Sequence, residues 1–199
     1  MKKIMILLVA ISIVASAEAR RGQPRDIPVT IYFHDGAQLE GFLRPFAVDA
    51  RRVEFRSERG GRVERFESNS IERIRRYDED GSFGEVVWLP RIWLDRRGNR
   101  REWAPVWLNV VIVGHATLFS RGLTYSAMRE GESIPIVLAI ASENISGSMR
   151  HLTLSNVGWK FFEDTYPELA ERIRNGEYGN TPADVRAVIH EYNFRAGLR

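Results

Sequence analysis

Val29-Thr-Ile-Tyr-Phe-His-Asp-Gly-Ala-Gln-Leu-Glu-Gly-Phe-Leu43 is the stretch that decides the fold class. Val29, Ile31 and Phe33 recur at every second position, the spacing that puts side chains on one face of a strand. His34-Asp35-Gly36 interrupts them, and Asp-Gly is a strong hairpin signal. Gln38 to Leu43 then returns as a second strand with Leu39 and Leu43 inward. Gly41 between them lets the strand bend sharply or another backbone approach. Val53 and Phe55 alternate with Arg52, Glu54 and Arg56, a third strand with one wet face, and after a turn Arg62 to Glu67 pairs back as a fourth. Ile71 and Ile74 end the unit. Four or five short strands over 29–77 predict a small, strongly bent antiparallel barrel.

Asp78-Glu-Asp-Gly-Ser82 is an acidic turn that separates this unit from a second region, 83–199. Phe83 to Leu94 and Trp103 to Val113 read as long strands, with Asp95-Arg-Arg-Gly-Asn99 between them. His115 to Phe119, Gly122 to Met128 and Ile134 to Ile140 follow as shorter ones. Ala141 to Ser148 is a loop, and Arg150 to Leu154 reads as a last strand. The character changes at Val157. Trp159 to Asp164 reads as one or two helical turns. Pro167 to Arg174 has proline first, acid early and arginine late, with Gly176 just past its end. Thr181-Pro-Ala-Asp184 is a capping box ahead of Val185, Val188, Ile189 and Tyr192, the apolar stripe of a final helix. Strands first and two or three short helices last predict an α+β fold, predominantly antiparallel β.

The chain opens with MKKIMILLVAISIVASAEA over residues 1–19. Lys2 and Lys3, an apolar run from Ile4 to Val14, and Ala17-Glu-Ala19 have the form of a secretory signal cleaved before Arg20. The run falls short of the roughly 20 apolar residues of a transmembrane helix, so no span is expected in the mature chain. Residues 20–28, polar and with two prolines, read as an extended leader. Cleavage removes Lys2, Lys3 and Glu18 and leaves a net charge of +2 on a chain whose one remaining lysine is Lys160. With 44% hydrophobic residues, 28% charged and no cysteine, the composition describes a globular protein stabilised by core burial rather than by disulfides.

The residue types that carry chemistry are scattered. His34, His115, His151 and His190 show no i, i+2 or i, i+4 metal spacing, and neither a Gly-x-Ser-x-Gly elbow nor a glycine-rich phosphate loop is present. Neither metal nor cofactor is expected, and no catalytic residue is assigned. Glu40, Glu54, Glu163, Asp164 and Glu168 are available as paired carboxylates, but sit where solvated strand faces and helix starts place acids. Arg51 to Arg76 holds nine arginines interleaved with five glutamates, a pattern that cross-strand ion pairing explains without nucleic acid. Trp88, Trp93 and Trp103 are candidate binding residues, but as large core fillers they read first as core, with one or two exposed beside the Asp95 to Asn99 turn; Trp107 lies inside an apolar run and reads as core.

Motifs along the chain resemble a loosely defined group of secreted, envelope-associated proteins, mainly from Bacteroidetes, that carry no assigned activity. Val29 to Phe33, Gly41-Phe-Leu43, Val53-Glu-Phe55 and Ile71 to Ile74 match their N-terminal part. Val111 to Phe119 with Gly114, Leu118 and Phe119 matches their middle. Phe161-Phe162, Asp164, Pro167, Leu169, Ile173 and Tyr192-Asn193 match their helical tail. The resemblance implies an N-terminal barrel-like region, a helical tail and an envelope role, and transfers no catalytic residue. The expectation is an exported module in the periplasm or cell envelope, non-enzymatic, that binds an envelope protein or a cell-surface component such as a glycan. The alternative is a periplasmic hydrolase or carbohydrate-binding protein with a tryptophan-lined cleft.

Overall fold

The computed structural model describes residues 26–141 and 149–198. The expected signal peptide, leader residues 20–25 and the loop over 142–148 lie outside them. Ten strands run in chain order: β1 (Ile27–Phe33), β2 (Gln38–Leu43), β3 (Arg52–Arg56), β4 (Glu64–Glu67), β5 (Ile71–Tyr77), β6 (Phe83–Leu94), β7 (Arg100–Ile112), β8 (Ala116–Arg121), β9 (Thr124–Arg129) and β10 (Ile136–Ile140). A 3-10 turn over Gly158–Phe161 and two helices, α1 (Pro167–Arg174) and α2 (Pro182–Gly197), follow. The protein is mostly β with a helical C-terminal region, an α+β fold.

All ten strands form one sheet in the order β10-β9-β8-β7-β6-β5-β1-β2-β3-β4, and β10 also pairs with β6. Strands β6–β10 thereby close a five-stranded barrel. Consecutive neighbours are antiparallel, so an odd number of strands leaves first and last pointing the same way. The closing pair, Ile136 opposite Ile92, is accordingly parallel, and Ile92 N–H donates to the Pro135 carbonyl at 2.9 Å. Main-chain closure therefore falls within 83–140, whereas the hydropathy pattern placed the barrel-like unit at 29–77. Strands β1–β5 make a bent sheet in the order β5-β1-β2-β3-β4, and β5 pairs with β6 rather than β4.

Three local features depart from the expected elements. Ile27 and Pro28 belong to β1, opposite Leu43 and Phe42, so the leader gives way to a strand sooner than 28; proline is tolerated near the start of a strand. Ile71 and Ile74 do not end the first unit but open a full strand. Their spacing of three breaks strict alternation, yet both are buried, because the pairing of β1 with β5 shifts register between Tyr32 and Phe33. Arg150 to Leu154 is not a strand. Thr153 turns the chain, its carbonyl accepting from Val157 and Gly158 N–H at 3.0 and 3.1 Å and its hydroxyl from Asn156 N–H at 3.2 Å.

The N-terminal core contains Val29, Ile31, Leu43, Val53, Phe55, Ile71 and Ile74, and is completed by Val86 of β6 and Trp107 of β7. Gly41 sits where β3 crosses: a Cβ there would lie 2.2 Å from the Arg56 carbonyl oxygen and 2.6 Å from the Phe55 ring. Trp107 is 4% exposed. Its main-chain N–H donates to Val48 O at 2.7 Å and its indole N–H to Ala50 O at 3.2 Å, which ties the β2–β3 loop onto the barrel. Its ring meets Phe46 and Trp88 at centroid distances of 5.4 and 5.5 Å.

The helical region covers the outer face of β8–β10. Phe161, Phe162, Leu169, Ile173, Val185, Val188, Ile189 and Tyr192 pack with Ala116, Leu118, Ala127 and Leu138. Asn193 fixes α2 to the start of β8: its Oδ1 accepts from Ala116 N–H at 2.7 Å and its Nδ2 donates to Ala116 O at 3.0 Å. Gly114 makes room for this clamp, since a Cβ there would come 2.5 Å from Asn193 Nδ2. Thr181 and Asp184 form the expected capping box. Glu191 joins α2 to α1 and the segment after it by accepting from Arg172 at 2.6 Å and from the Tyr178 hydroxyl, and it also accepts from Arg195 of its own helix at 2.7 Å. Burial raises the Glu191 carboxyl, but the hydrogen bonds from Tyr178 and Arg195 and the Arg172 charge outweigh it and hold it below the ordinary range.

Trp107→Ala removes a core ring and a loop anchor together and should destabilise the fold by about 3–5 kcal/mol; a loss below about 1 kcal/mol in chemical denaturation would place the ring at the surface. The lowered carboxyls of Glu191 and Asp184 set an acid limit. A group whose folded pKa lies below its unfolded value stabilises above the unfolded value, and that contribution is lost as pH falls through the folded one. Melting temperature should therefore drop below about pH 4, and Glu191→Gln should blunt the drop; superimposable curves for parent and variant would contradict the assignment.

Candidate functional site

Strict alternation along β6 sends Trp88 and Trp93 to opposite faces. Trp88 lies opposite Trp107 in the β6–β7 ladder and packs on the N-terminal core. Trp93 faces the other way, in register with Val87, Leu89 and Arg91. Trp103 and Trp107, four apart, would share a face on a regular strand. They do not, because the ladder shifts register between Leu89 and Arg91, where the single residue Pro90 is opposed by Ala104 and Pro105. The bulge turns Trp103 to the Arg91 side. Of the three candidate tryptophans, the structure brings Trp93 and Trp103 together and leaves Trp88 in another cluster.

The two indoles stack at 5.9 Å with 29° between planes, both half-buried. Leu94, Val137, Leu152 and Val157 form the floor beneath them. His151 meets the Trp93 ring at 5.9 Å. Its Nε2 lies 3.0 Å from Leu94 O, and since a carbonyl only accepts, that nitrogen carries the proton. Nδ1 is buried and has no hydrogen-bond partner among the described residues. Arg91 lies under Trp103, its guanidinium carbon 4.6 Å from the ring centroid. Arg91 is 3% exposed, its Nε is buried without a hydrogen-bond partner, and among the described residues no carboxylate pairs with it. Burial, with a smaller push from the like charge of Arg121, brings its pKa down to about 10.

Arg91 has a sequence signal that aromatic content alone conceals. It continues the inward row of β6, after Val87 and Leu89 of the apolar barrel filling, so an arginine stands where an aliphatic residue is expected. Arg121 occupies the matching row of β8 two residues beyond Phe119, which belongs to the same filling. The barrel end is thus lined by two guanidinium groups, two indoles and one imidazole.

Elsewhere the titratable groups serve the fold. Arg52 faces Glu67 and Glu54 faces Arg65 across the β3–β4 ladder, and both pairs form salt bridges, the cross-strand pairing that the interleaved charges predict. Arg44 adds to Glu54 at 3.3 Å, so Arg65 first, then Arg44, hold that carboxyl below its usual range. Arg44, Arg52, Glu54 and Arg65 line an open hollow of about 490 Å³ beside Phe46. Asp95 is held low by hydrogen bonds from Asn99 and Arg97 within its turn. Glu163 and Asp164 are exposed, and Glu168 lies 3.7 Å from Arg195. His34 and His190 are exposed, and His115 meets Glu130 at 3.2 Å. Among the described residues no group of three His, Asp or Glu side chains is placed to hold a metal, and no helix is long and apolar enough to cross a membrane.

No protein-family model, curated protein or solved structure matches the chain.

Proposed function

We propose that this protein is an exported, non-enzymatic binding module of the cell envelope that recognises another protein or a surface component at the Trp93–Trp103 end of its barrel. The observation that carries the reading is the stacked, half-exposed indole pair backed by a buried cation. Such a surface offers rigid apolar area and charge at little cost in side-chain entropy. The lowered carboxyls support it further. Glu54, Asp95 and Asp184 are each held as anions by Arg65, Asn99 and Thr181 respectively, the opposite of the raised pKa that a general acid needs. Export rests on Lys2, Lys3 and the apolar run ahead of Ala17-Glu-Ala19.

Two measurements in intact cells test this. Fractionation with N-terminal sequencing should recover a form beginning at Arg20 outside the cytosol; an unprocessed chain confined to the cytosol would overturn the export part. A photo-cross-linker at position 93 or 103 should capture a defined adduct that the same group at Glu163, on the helical side, does not. Identical adducts from both sides would remove the binding role from the indole pair.

A further inference from the structure

We propose that the barrel end around Arg91 is a binding site for an oxyanion, a carboxylate or phosphate group, carried on a ligand whose apolar part lies against Trp93 and Trp103. The inference deepens the binding reading above and rests on it only for the choice of face.

A buried guanidinium without a counter-charge is expensive: unpaired charges in an apolar interior are strongly disfavoured and are normally compensated by a carboxylate or by hydrogen bonds. Arg91 is 3% exposed, and its surroundings add charge of the wrong sign. Among the described residues the one charged group that acts on it is Arg121, which itself forms no ion pair there. Two cations facing one region, with no acid between them among the described residues, leave a focus of positive potential, and an incoming anion restores the balance.

Geometry favours a forked oxyanion over a diffuse counter-ion. The Trp103 ring covers one face of the Arg91 guanidinium, whereas guanidinium donors lie in its plane and point out from its edge. The unpartnered Nε belongs to that edge. A carboxylate or phosphate takes two parallel N–H bonds from such an edge, which a point cation cannot supply. His151 adds a further polar element against Trp93: its buried Nδ1 has no hydrogen-bond partner among the described residues, and a ligand hydroxyl satisfies it.

The test uses the full chain, titrated with sodium benzoate, phenyl phosphate and inorganic phosphate, with benzyl alcohol as a neutral control. Tryptophan emission and melting temperature are the readouts. Benzoate or phenyl phosphate should give a saturable emission change and a rise in melting temperature, and benzyl alcohol neither. Which of the two binds more tightly tells a carboxylate from a phosphate ligand. Arg91→Met should weaken binding at least tenfold, and without ligand should melt no lower than the parent, because it removes an uncompensated charge. Arg91→Lys keeps the charge without the fork and should also lose about tenfold, so it decides the matter if Arg91→Met does not fold. Arg121→Gln should lose severalfold. No saturable response to any anion, an equal response in parent and Arg91→Lys, or a ligand-free Arg91→Met that folds but melts several degrees lower would each overturn the proposal. Anion binding with no envelope partner would sink the cellular reading alone, and a partner captured without anion binding would sink this site alone.

Discussion

Trp107 is the contact on which the two halves of the molecule depend. The sheet of β1–β5 cannot complete its core from its own residues: Val86 and Trp107, both from the barrel, fill it. The same residue holds the β2–β3 loop by two hydrogen bonds, from its main-chain N–H to Val48 O and from its indole N–H to Ala50 O. One residue thus buries apolar area, satisfies two loop carbonyls, one through its main chain and one through its ring, and fixes where one curved sheet meets the next. Ring burial without the loop bonds would leave those carbonyls to water, and the loop bonds without the ring would leave the N-terminal core open on one side.

The β6–β7 hairpin distributes side chains between the two cores, and the Pro90 bulge does the sorting. Ahead of the bulge on β6, Val86 and Trp88 serve the N-terminal core while Val87 and Leu89 fill the barrel. Beyond it, Trp103 has changed sides relative to Trp107. Without the extra residue on β7 the four middle tryptophans would divide differently, and Arg91 would lose the ring that covers it. Proline suits the position because a bulge removes the ladder bond that its missing N–H could not make.

Much of this was legible in order and little in closure. Alternation in Val29–Phe33, Gln38–Leu43 and Arg52–Arg56 located three strands, and Pro167 and Thr181-Pro-Ala-Asp184 located both helices, because those signals are local. Ile71 and Ile74 misled because a bulge in the partner pairing lets residues three apart share a face. The barrel seam joins Ile92 to Ile136, and a contact between residues so far apart in the chain leaves no local periodicity. Asn193 and Gly114 show the same limit: a clamp and the space for it lie on different elements and meet only after folding. Arg91 was readable in principle, as an arginine in phase with Val87 and Leu89, but the neighbouring tryptophans dominated the pattern.

The position of Arg91 follows from the arithmetic of the barrel. Five strands in a meander must close on a parallel pair, and parallel pairing is the weaker kind. Here the seam is one residue pair long, immediately after Arg91 in the chain. Val106, Leu108 and Phe119 fill the barrel ahead of this end with buried apolar side chains; at the seam the inward row changes to Arg91 on β6 and to Arg121 on β8. An aliphatic residue at position 91 would extend the apolar filling to the mouth and strengthen the least supported closure. The protein instead places two cations there, one of them beneath the Trp103 indole, which spends stability at the one place where the barrel has least to spare. Such a choice is what function, rather than folding, imposes on a core position.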